Sequence, residues 1–329
     1  MGHSRIQELD DIKSSLVLIM LVFHSASGLT RHAETLAPIC SALFFIHYAF
    51  LMVTGLLCGI HYGAEAQTDA RQVKRRLWSR GAKLLGLFLG INLLFYGVRI
   101  LPFVKLQQAL AQEGGLLQLV WAPAGSLVAF EILYFIALFL LLVPFLIPWA
   151  RDWMLFIIGF GLMFWNHSTL TFCLSWAVLG MGLGMFVRRP AVIPRLRFLG
   201  GYVFCFPILL PVMLWLNSSR GAGDALLNKL FLLVETLVWF GFFVWLLRIH
   251  DCGRHVRVLG AYTLVAYMGQ MFIIVGLNTF LRRLPWGAVP SYLVMLLTAT
   301  VTTYLAVRLL AWGRRKFHLV DRFYQLIFT

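Results

Sequence analysis

Runs of about 20 apolar residues recur along the whole of this 329-residue chain, each long enough to cross a hydrocarbon layer of ~30 Å. That repetition predicts an all-α, polytopic membrane helix bundle. Ten spans are expected, at about 14–30, 39–61, 84–101, 126–149, 153–170, 172–187, 198–216, 229–248, 258–280 and 290–312. Composition agrees: 60% of residues are hydrophobic and only 12% charged, against about 25% charged in a soluble domain. The mean hydropathy is +0.84. Residues 1–13 carry mixed charge and no A-x-A site follows the first apolar run, so that run reads as a retained span rather than a cleaved signal peptide. The expected organisation is one integral-membrane domain over 1–329, with a short cytoplasmic N-terminus and a tail at 313–329.

The placement of Lys and Arg sets the orientation. With the N-terminus inside, the inner segments hold Arg71, Lys74, Arg75, Arg76, Arg80 and Lys83; Arg188, Arg189, Arg195 and Arg197; Arg254 and Arg257; and Arg314, Arg315, Lys316 and Arg322. The opposite loops hold only scattered cations such as Arg31, Lys105, Arg220 and the pair Arg282/Arg283. An N-in, C-in topology follows. The same bias explains the net charge of +15 through topology and attraction to anionic lipid. Nucleic acid is not an expected partner, because no loop is long enough to fold into a domain with a basic face.

Between the third and fourth spans, "VKLQQALAQ" has the spacing of a short amphipathic helix on the outer surface, broken at Gly114–Gly115. Cys40, Cys58, Cys173 and Cys205 fall within spans and Cys252 in an inner loop, which gives neither a disulfide framework nor a metal-ligand spacing. No metal is expected. No internal repeat, Walker, Rossmann or zinc-protease motif is present.

Ionisable groups at membrane depth are costly and mark sites or proton paths. His24 lies ~16 Å along the first span from Lys13, near mid-bilayer. His47 comes down from the outer side to a similar depth. Glu131 and Glu235 sit about two turns below the outer surface, Arg99, Asn166 and His167 near the outer ends of their spans, and Gln270 past the middle of the ninth. Each can be read as a helix–helix hydrogen bond; together they can line a cavity open to the outside. Eleven residues are almost three turns, so Lys13 and His24 share one face of the first span. A cation at the inner interface and an imidazole at mid-depth suit a ligand with phosphates at one end and an acyl group at the other. Coenzyme A thioesters have that shape, and "RQVKRRLWSRGAK", read as an inner loop, offers further cations.

"RIQELDDIKSSLVLIMLVFH" resembles the opening signature of the membrane acyltransferase 3 family, in which a Leu-Asp pair and a basic residue precede a first-span histidine by eleven positions. "FLMVTGLLCG", "VKRRLWSRGAKLL", "FEILYFIALFLLLVP" with Glu131, Tyr134 and Pro144, "LGMGLGMFVRR" and "LGAYTLVAYMGQMFI" resemble later elements of that family in order. Two positions depart from its pattern. The family's first-span arginine is Lys13, which keeps the charge without the bidentate fork, and a late-span histidine is Gln270, which cannot titrate.

The resemblance implies transfer of an acetyl or succinyl group from cytoplasmic acyl-CoA to a sugar hydroxyl, on a cell-surface glycan or lipid-linked precursor outside a bacterial inner membrane. His24 would act as general base or transient acyl carrier. Lys13, Arg76 and Arg80 would hold the nucleotide phosphates, Glu131 would orient a histidine or a sugar hydroxyl, and His47 and Gln270 would line the acceptor cavity. The membrane domain is expected to act without an appended esterase-like domain. Two other readings use the same residues: a transporter or flippase of a glycan or lipid precursor, marked by a charged path or a helix broken at mid-depth, and a non-catalytic subunit of an envelope-assembly complex.

Overall fold

The computed structural model describes residues 7–97, 131–147, 152–165, 169–187 and 252–328, with isolated positions between 232 and 238. The outer segment at 100–125, the expected span 198–216, most of 229–248, and Arg99, Asn166 and His167 lie outside the described residues. All regular structure among those described is helical: α1 Gln7–Gly28, a 3-10 turn Thr30–His32, α2 Ala33–Ala42, α3 Ile46–Thr68, α4 Ala70–Gly97, α5 Glu131–Leu146, α6 Asp152–Phe164, α7 Thr169–Val187, α8 Cys252–Ala261, α9 Thr263–Leu281, α10 Ala288–Lys316 and α11 His318–Phe328. Among the described residues, three stretches are long and apolar enough to cross a membrane, namely Thr30–Gly63, α9 and α10. Shorter apolar helices run Glu131–Leu146, Trp153–Phe164 and Leu170–Phe186.

The segment 62–83, expected as an inner loop, is instead helical. α3 continues to Thr68 and α4 begins at Ala70, with Asp69 alone between them. Asp69 caps α4, its Oδ1 accepting the Gln72 N–H at 3.0 Å, and nothing in "RQVKRRLWSR" breaks a helix. Two expected spans are interrupted. α2 and α3 are separated by turn residues 43–45, following Pro38 within α2, and α8 and α9 meet at Tyr262. The first span is a helix from Gln7 rather than from residue 14, and its N-terminal third carries Asp10, Asp11 and Lys13. Its apolar part, Ser14 to Ser27, covers only about 21 Å at 1.5 Å per residue. α6 stops at Phe164, short of the expected 170.

The chain divides into two compact units, Met1–His47 with Arg195–Tyr324, and Tyr48–Pro194 with Gln325–Thr329. In the first, α1 is packed among α2, α8, α9 and α10, and Leu16, Val17, Met20 and Leu21 are at most 1% exposed. α1 runs parallel to α8 and α9. Ser14 Oγ accepts the Gly260 N–H at 2.9 Å, His24 faces Tyr267, Gly28 abuts Ile274, and Thr30 Oγ1 accepts from Arg282. Gly260 is required here, because a Cβ would stand 2.1 Å from the Asp10 carbonyl oxygen. α10 buries Ser291, Met295, Ala299, Thr303, Val307 and Ala311, a stripe repeating every four residues. Its opposite side exposes Leu293, Leu297, Val301, Leu305, Leu309 and Trp312, as a helix against lipid does.

The second unit is organised by close helix contact. α3 and α7 run parallel through two facing GxxxG patterns, Gly55/Gly59 and Gly180/Gly184, with Gly180 against the Met52 carbonyl and Gly184 against that of Leu56. α4 and α5 are antiparallel: Trp78 Nε1–H donates to the Leu141 carbonyl at 3.1 Å, Gly81 abuts Ala137 and Leu141, and Phe88 meets Tyr134.

Candidate active site

The first unit gathers a small set of polar groups around α1. Three residues of turn precede α3, and His47 in its first turn is oriented by that turn: Nδ1 lies 3.3 Å from the Phe44 carbonyl, which only accepts. Nδ1 therefore carries the proton, and in the neutral ring the lone pair falls on Nε2. His24 projects from α1 toward it, with ring centroids 6.3 Å apart and planes near perpendicular. Phe23 meets both rings edge-on, at 5.3 Å and 5.1 Å, and fixes their orientation. Tyr267 of α9 closes the other side of His24 at 6.3 Å. One turn further along α9, Gln270 is completely buried. His24 Nε2 and both amide atoms of Gln270 are buried without a hydrogen-bond partner among the described residues. An unpartnered buried polar atom costs about 1–3 kcal/mol, a penalty that a bound polar ligand removes.

At the other end of α1 the charges are compensated. Lys13 Nζ lies 2.7 Å from Asp10 Oδ1. Asp11, nearly buried, takes a side-on pair from Arg257 of α8, at 2.6 Å from Nε and 3.4 Å from Nη2. Lys13 and His24 remain about 16 Å apart along one helix.

The remaining expected site residues belong to the second unit. Arg76 and Arg80 lie on α4, where a cleft of about 430 Å³ is lined by Gln72, Arg75, Arg76, Ser79 and Arg80, all on one helical face. Arg76 pairs with Glu65 and Arg80 donates to the Tyr62 hydroxyl. Arg75 is exposed and, among the described residues, has no partner. Lys74, by contrast, is turned onto the Trp78 ring at 4.2 Å. Glu131, half-buried, is the first described residue of α5. No group of His, Cys, Asp and Glu able to hold a metal occurs among the described residues.

His24, His47 and Gln270 are thus set on neighbouring elements of one unit, Lys13 stands at the far end of the same helix, and Arg76 and Arg80 share one cleft. Tyr267 was not singled out from the sequence, where its one signal was a spacing of one turn from Gln270; Arg75 and Arg257 stood there only among the inner-segment cations. Arg257 finds Asp11 across 246 positions of sequence.

The family model described as heparan-alpha-glucosaminide N-acetyltransferase, catalytic, matches residues 5–214, close to two-thirds of the chain. The chain belongs to this family. The match takes in Lys13, His24, His47, Arg76, Arg80 and Glu131, and it stops before Arg257, Tyr267 and Gln270. Membership makes this an acetyltransferase-type membrane domain, in agreement with the acyl transfer expected from sequence; the matching model is that of the glucosaminide N-acetyltransferase rather than of membrane acyltransferase 3. No curated protein and no solved structure matches the chain.

Proposed function

We propose that the chain transfers an acetyl group from a cytoplasmic coenzyme A thioester to a sugar nucleophile on the outer side of a bacterial inner membrane. The observation that carries this reading is His24 Nε2: buried, without a partner among the described residues, and held among His47, Tyr267 and Phe23 in a chain of an acetyltransferase family. In the proposed reaction His24 removes the proton from the acceptor as its oxygen or nitrogen attacks the thioester carbonyl. The tetrahedral adduct then expels the coenzyme A thiolate, which takes the proton from His24. The new bond is an ester or amide; the bond broken is C–S. His47, with Nδ1–H engaged, offers Nε2 as a relay. Lys13 and the arginines of the α4 cleft are the cations for the nucleotide phosphates, and Glu131 orients the acceptor. The family description names an amine acceptor on a glucosaminide, whereas the likeness to membrane acyltransferase 3 points to a hydroxyl and to succinyl as a second acyl group. The sugar amine and hydroxyl are therefore both candidate nucleophiles.

Ten spans with both termini inside remain the topology proposed for this reaction. Helix directions support it. Spans one and nine, and spans two and six, should run the same way, and the contacts of α1 with α9 and of α3 with α7 are parallel. Spans three and four should oppose, as α4 and α5 do.

The test is acetyl transfer by the purified chain in proteoliposomes, with radiolabelled acetyl-CoA and lipid-linked amino and neutral sugars as acceptors. Alkali-labile label marks an ester and alkali-stable label an amide. His24→Ala should lower transfer by about 10²–10⁴-fold while the protein stays folded; undiminished transfer would overturn the assignment. The break at residues 43–45 within Thr30–Gly63 favours a second reading, transport of a glycan precursor. Sugar crossing the bilayer without acetyl-CoA would establish it.

A further inference from the structure

The last two helices carry a surface that the transfer reaction does not use. α10 ends in Arg314, Arg315 and Lys316, and Phe317, in extended backbone, turns the chain into α11. An eleven-residue helix is marginal in water by itself, so α11 needs contacts to persist. One face has them. Val320 packs on Gly313, Asp321 Oδ1 accepts from Arg314 Nε at 2.7 Å, the Arg314 guanidinium lies 3.8 Å from the centre of the Tyr324 ring, and Tyr324 meets Tyr262 edge-on at 5.4 Å. The other face is bare and apolar: Leu319 is 81% exposed, Phe323 64% and Leu326 69%. These positions recur every three to four residues, so they form one stripe.

That stripe continues a surface already assigned to lipid. The exposed side of α10, from Leu293 through Leu297, Leu305 and Leu309, ends at Trp312, and Trp312 meets Phe317 at the corner. Tryptophan at the end of a span marks the headgroup level. Arg315, Lys316 and Arg322 are exposed beside the stripe, three cations where anionic lipid headgroups would lie. The same end of the unit holds Lys13 and the Asp11–Arg257 pair, since Tyr262 follows directly on the α8 residues that meet Asp10, Asp11 and Ser14.

We propose that α11 is an interfacial helix, with its Leu319, Phe323 and Leu326 face seated in the headgroup region of an anionic bilayer and Arg315, Lys316 and Arg322 on the lipid phosphates. The proposal rests on α10 crossing the membrane but not on the acetyl-transfer chemistry. Its inner face, through Arg314 and Tyr324 on Tyr262, would brace the α8–α9 junction against the Lys13 end of α1.

The test uses the full chain in lipid nanodiscs, with a spin-labelled non-canonical residue at position 318, 319 or 323. Electron paramagnetic power saturation compares relaxation by oxygen, which concentrates in lipid, with relaxation by a water-soluble nickel chelate. Labels at 319 and 323 should favour oxygen, at a depth of about 5–10 Å, and the label at 318 should favour nickel. Phosphatidylglycerol in the disc should deepen the labels at 319 and 323 relative to phosphatidylcholine alone. The triple variant Arg315→Gln, Lys316→Gln, Arg322→Gln should lose that difference. Nickel accessibility at 319 and 323 equal to that at 318 would overturn the proposal. So would shielding from both agents that grows with protein-to-lipid ratio, the mark of a second copy on this face, or a lipid dependence that the triple variant leaves unchanged. No readout involves acetyl transfer, so a failure here and a failure of the proposed reaction are told apart.

Discussion

Gly180→Ala is the sharpest perturbation of the second unit. A methyl group built on Gly180 stands 1.9 Å from the Met52 carbonyl oxygen, and one on Gly55 stands 1.8 Å from that of Ala177. Both obstacles are backbone atoms, so no rotamer change relieves them. Reaching even a 3.0 Å contact requires α3 and α7 to part by about 1.1 Å. Overpacking a tight interface costs typically 1–3 kcal/mol, with a rigid backbone obstacle at the upper end. Alanine regains about 1 kcal/mol of helix propensity over glycine, so the expected net loss is about 2 kcal/mol. Gly161, in α6 of the same unit, is the control, because a methyl there meets nothing within 4 Å. Gly161→Ala should be neutral or stabilising by up to about 1 kcal/mol. Thermal unfolding in one detergent, followed by loss of the monodisperse peak, should place Gly180→Ala well below and Gly161→Ala at or above the unmodified chain. Gly55→Ala should behave like Gly180→Ala, and the double variant should lose less than the two combined, because both part the same interface. Equal stability of Gly180→Ala and Gly161→Ala would refute the close packing of α3 on α7.

Two further outcomes follow from the N-terminal end of α1. Asp11→Ala strands Arg257 and removes a side-on carboxylate–guanidinium pair; with the arginine side chain 36% exposed, the loss should be about 2 kcal/mol, and a double-mutant cycle with Arg257→Gln should recover a coupling of about 1 kcal/mol or more. Lys13→Ala should weaken acetyl-CoA binding and flatten its salt dependence, while Lys13→Arg should hold or improve both by restoring the fork, as read by calorimetry over a salt series.

How much was legible in the sequence depends on the range over which each feature is encoded. α5 lies within the expected span 126–149, and α7, α9 and α10 cover most of 172–187, 258–280 and 290–312 while running past their edges, because their apolar runs are local. The spacing of Gly180 and Gly184 is likewise local, whereas their contacts with the Met52 and Leu56 carbonyls are tertiary. The basic segment 71–83 of α4 reads as a loop only when charge is made the boundary of a span. In the fold a helix continues past the apolar run, and Asp69 rather than polarity decides where it restarts. The break at residues 43–45 gives His47 its orientation through the Phe44 carbonyl, and only Pro38 hinted at it. The stripe of Lys13 and His24 was readable from helical periodicity alone. That Asp10 would hold Lys13 and Arg257 would hold Asp11 was not, because the first is a choice among near neighbours and the second is a tertiary contact.

Charges along α1 are compensated while several buried polar groups beside it, Ser25 Oγ among them, are not, and Gln270 is where the meaning of that difference can be measured. Asp10, Asp11 and Lys13 all find partners within the unit. His24 Nε2 and the Gln270 amide, buried beside the same helix, find none among the described residues. A group kept for packing alone gains nothing from an unsatisfied amide, and replacing it with an apolar residue of similar volume should relieve about 1–3 kcal/mol. Gln270→Leu is therefore expected to raise thermal stability or leave it unchanged, while acetyl transfer falls. The fall should appear mainly as a higher KM for the sugar acceptor, because a neutral amide near His24 can exchange hydrogen bonds with sugar hydroxyls but cannot take up a proton at neutral pH. Gln270→Asn, which keeps the amide on a shorter stem, should restore part of the activity. The opposite result, a clear loss of stability with unchanged kinetics, would make Gln270 a structural residue bonded through the bundle, and the acceptor pocket would then have to be sought away from α9.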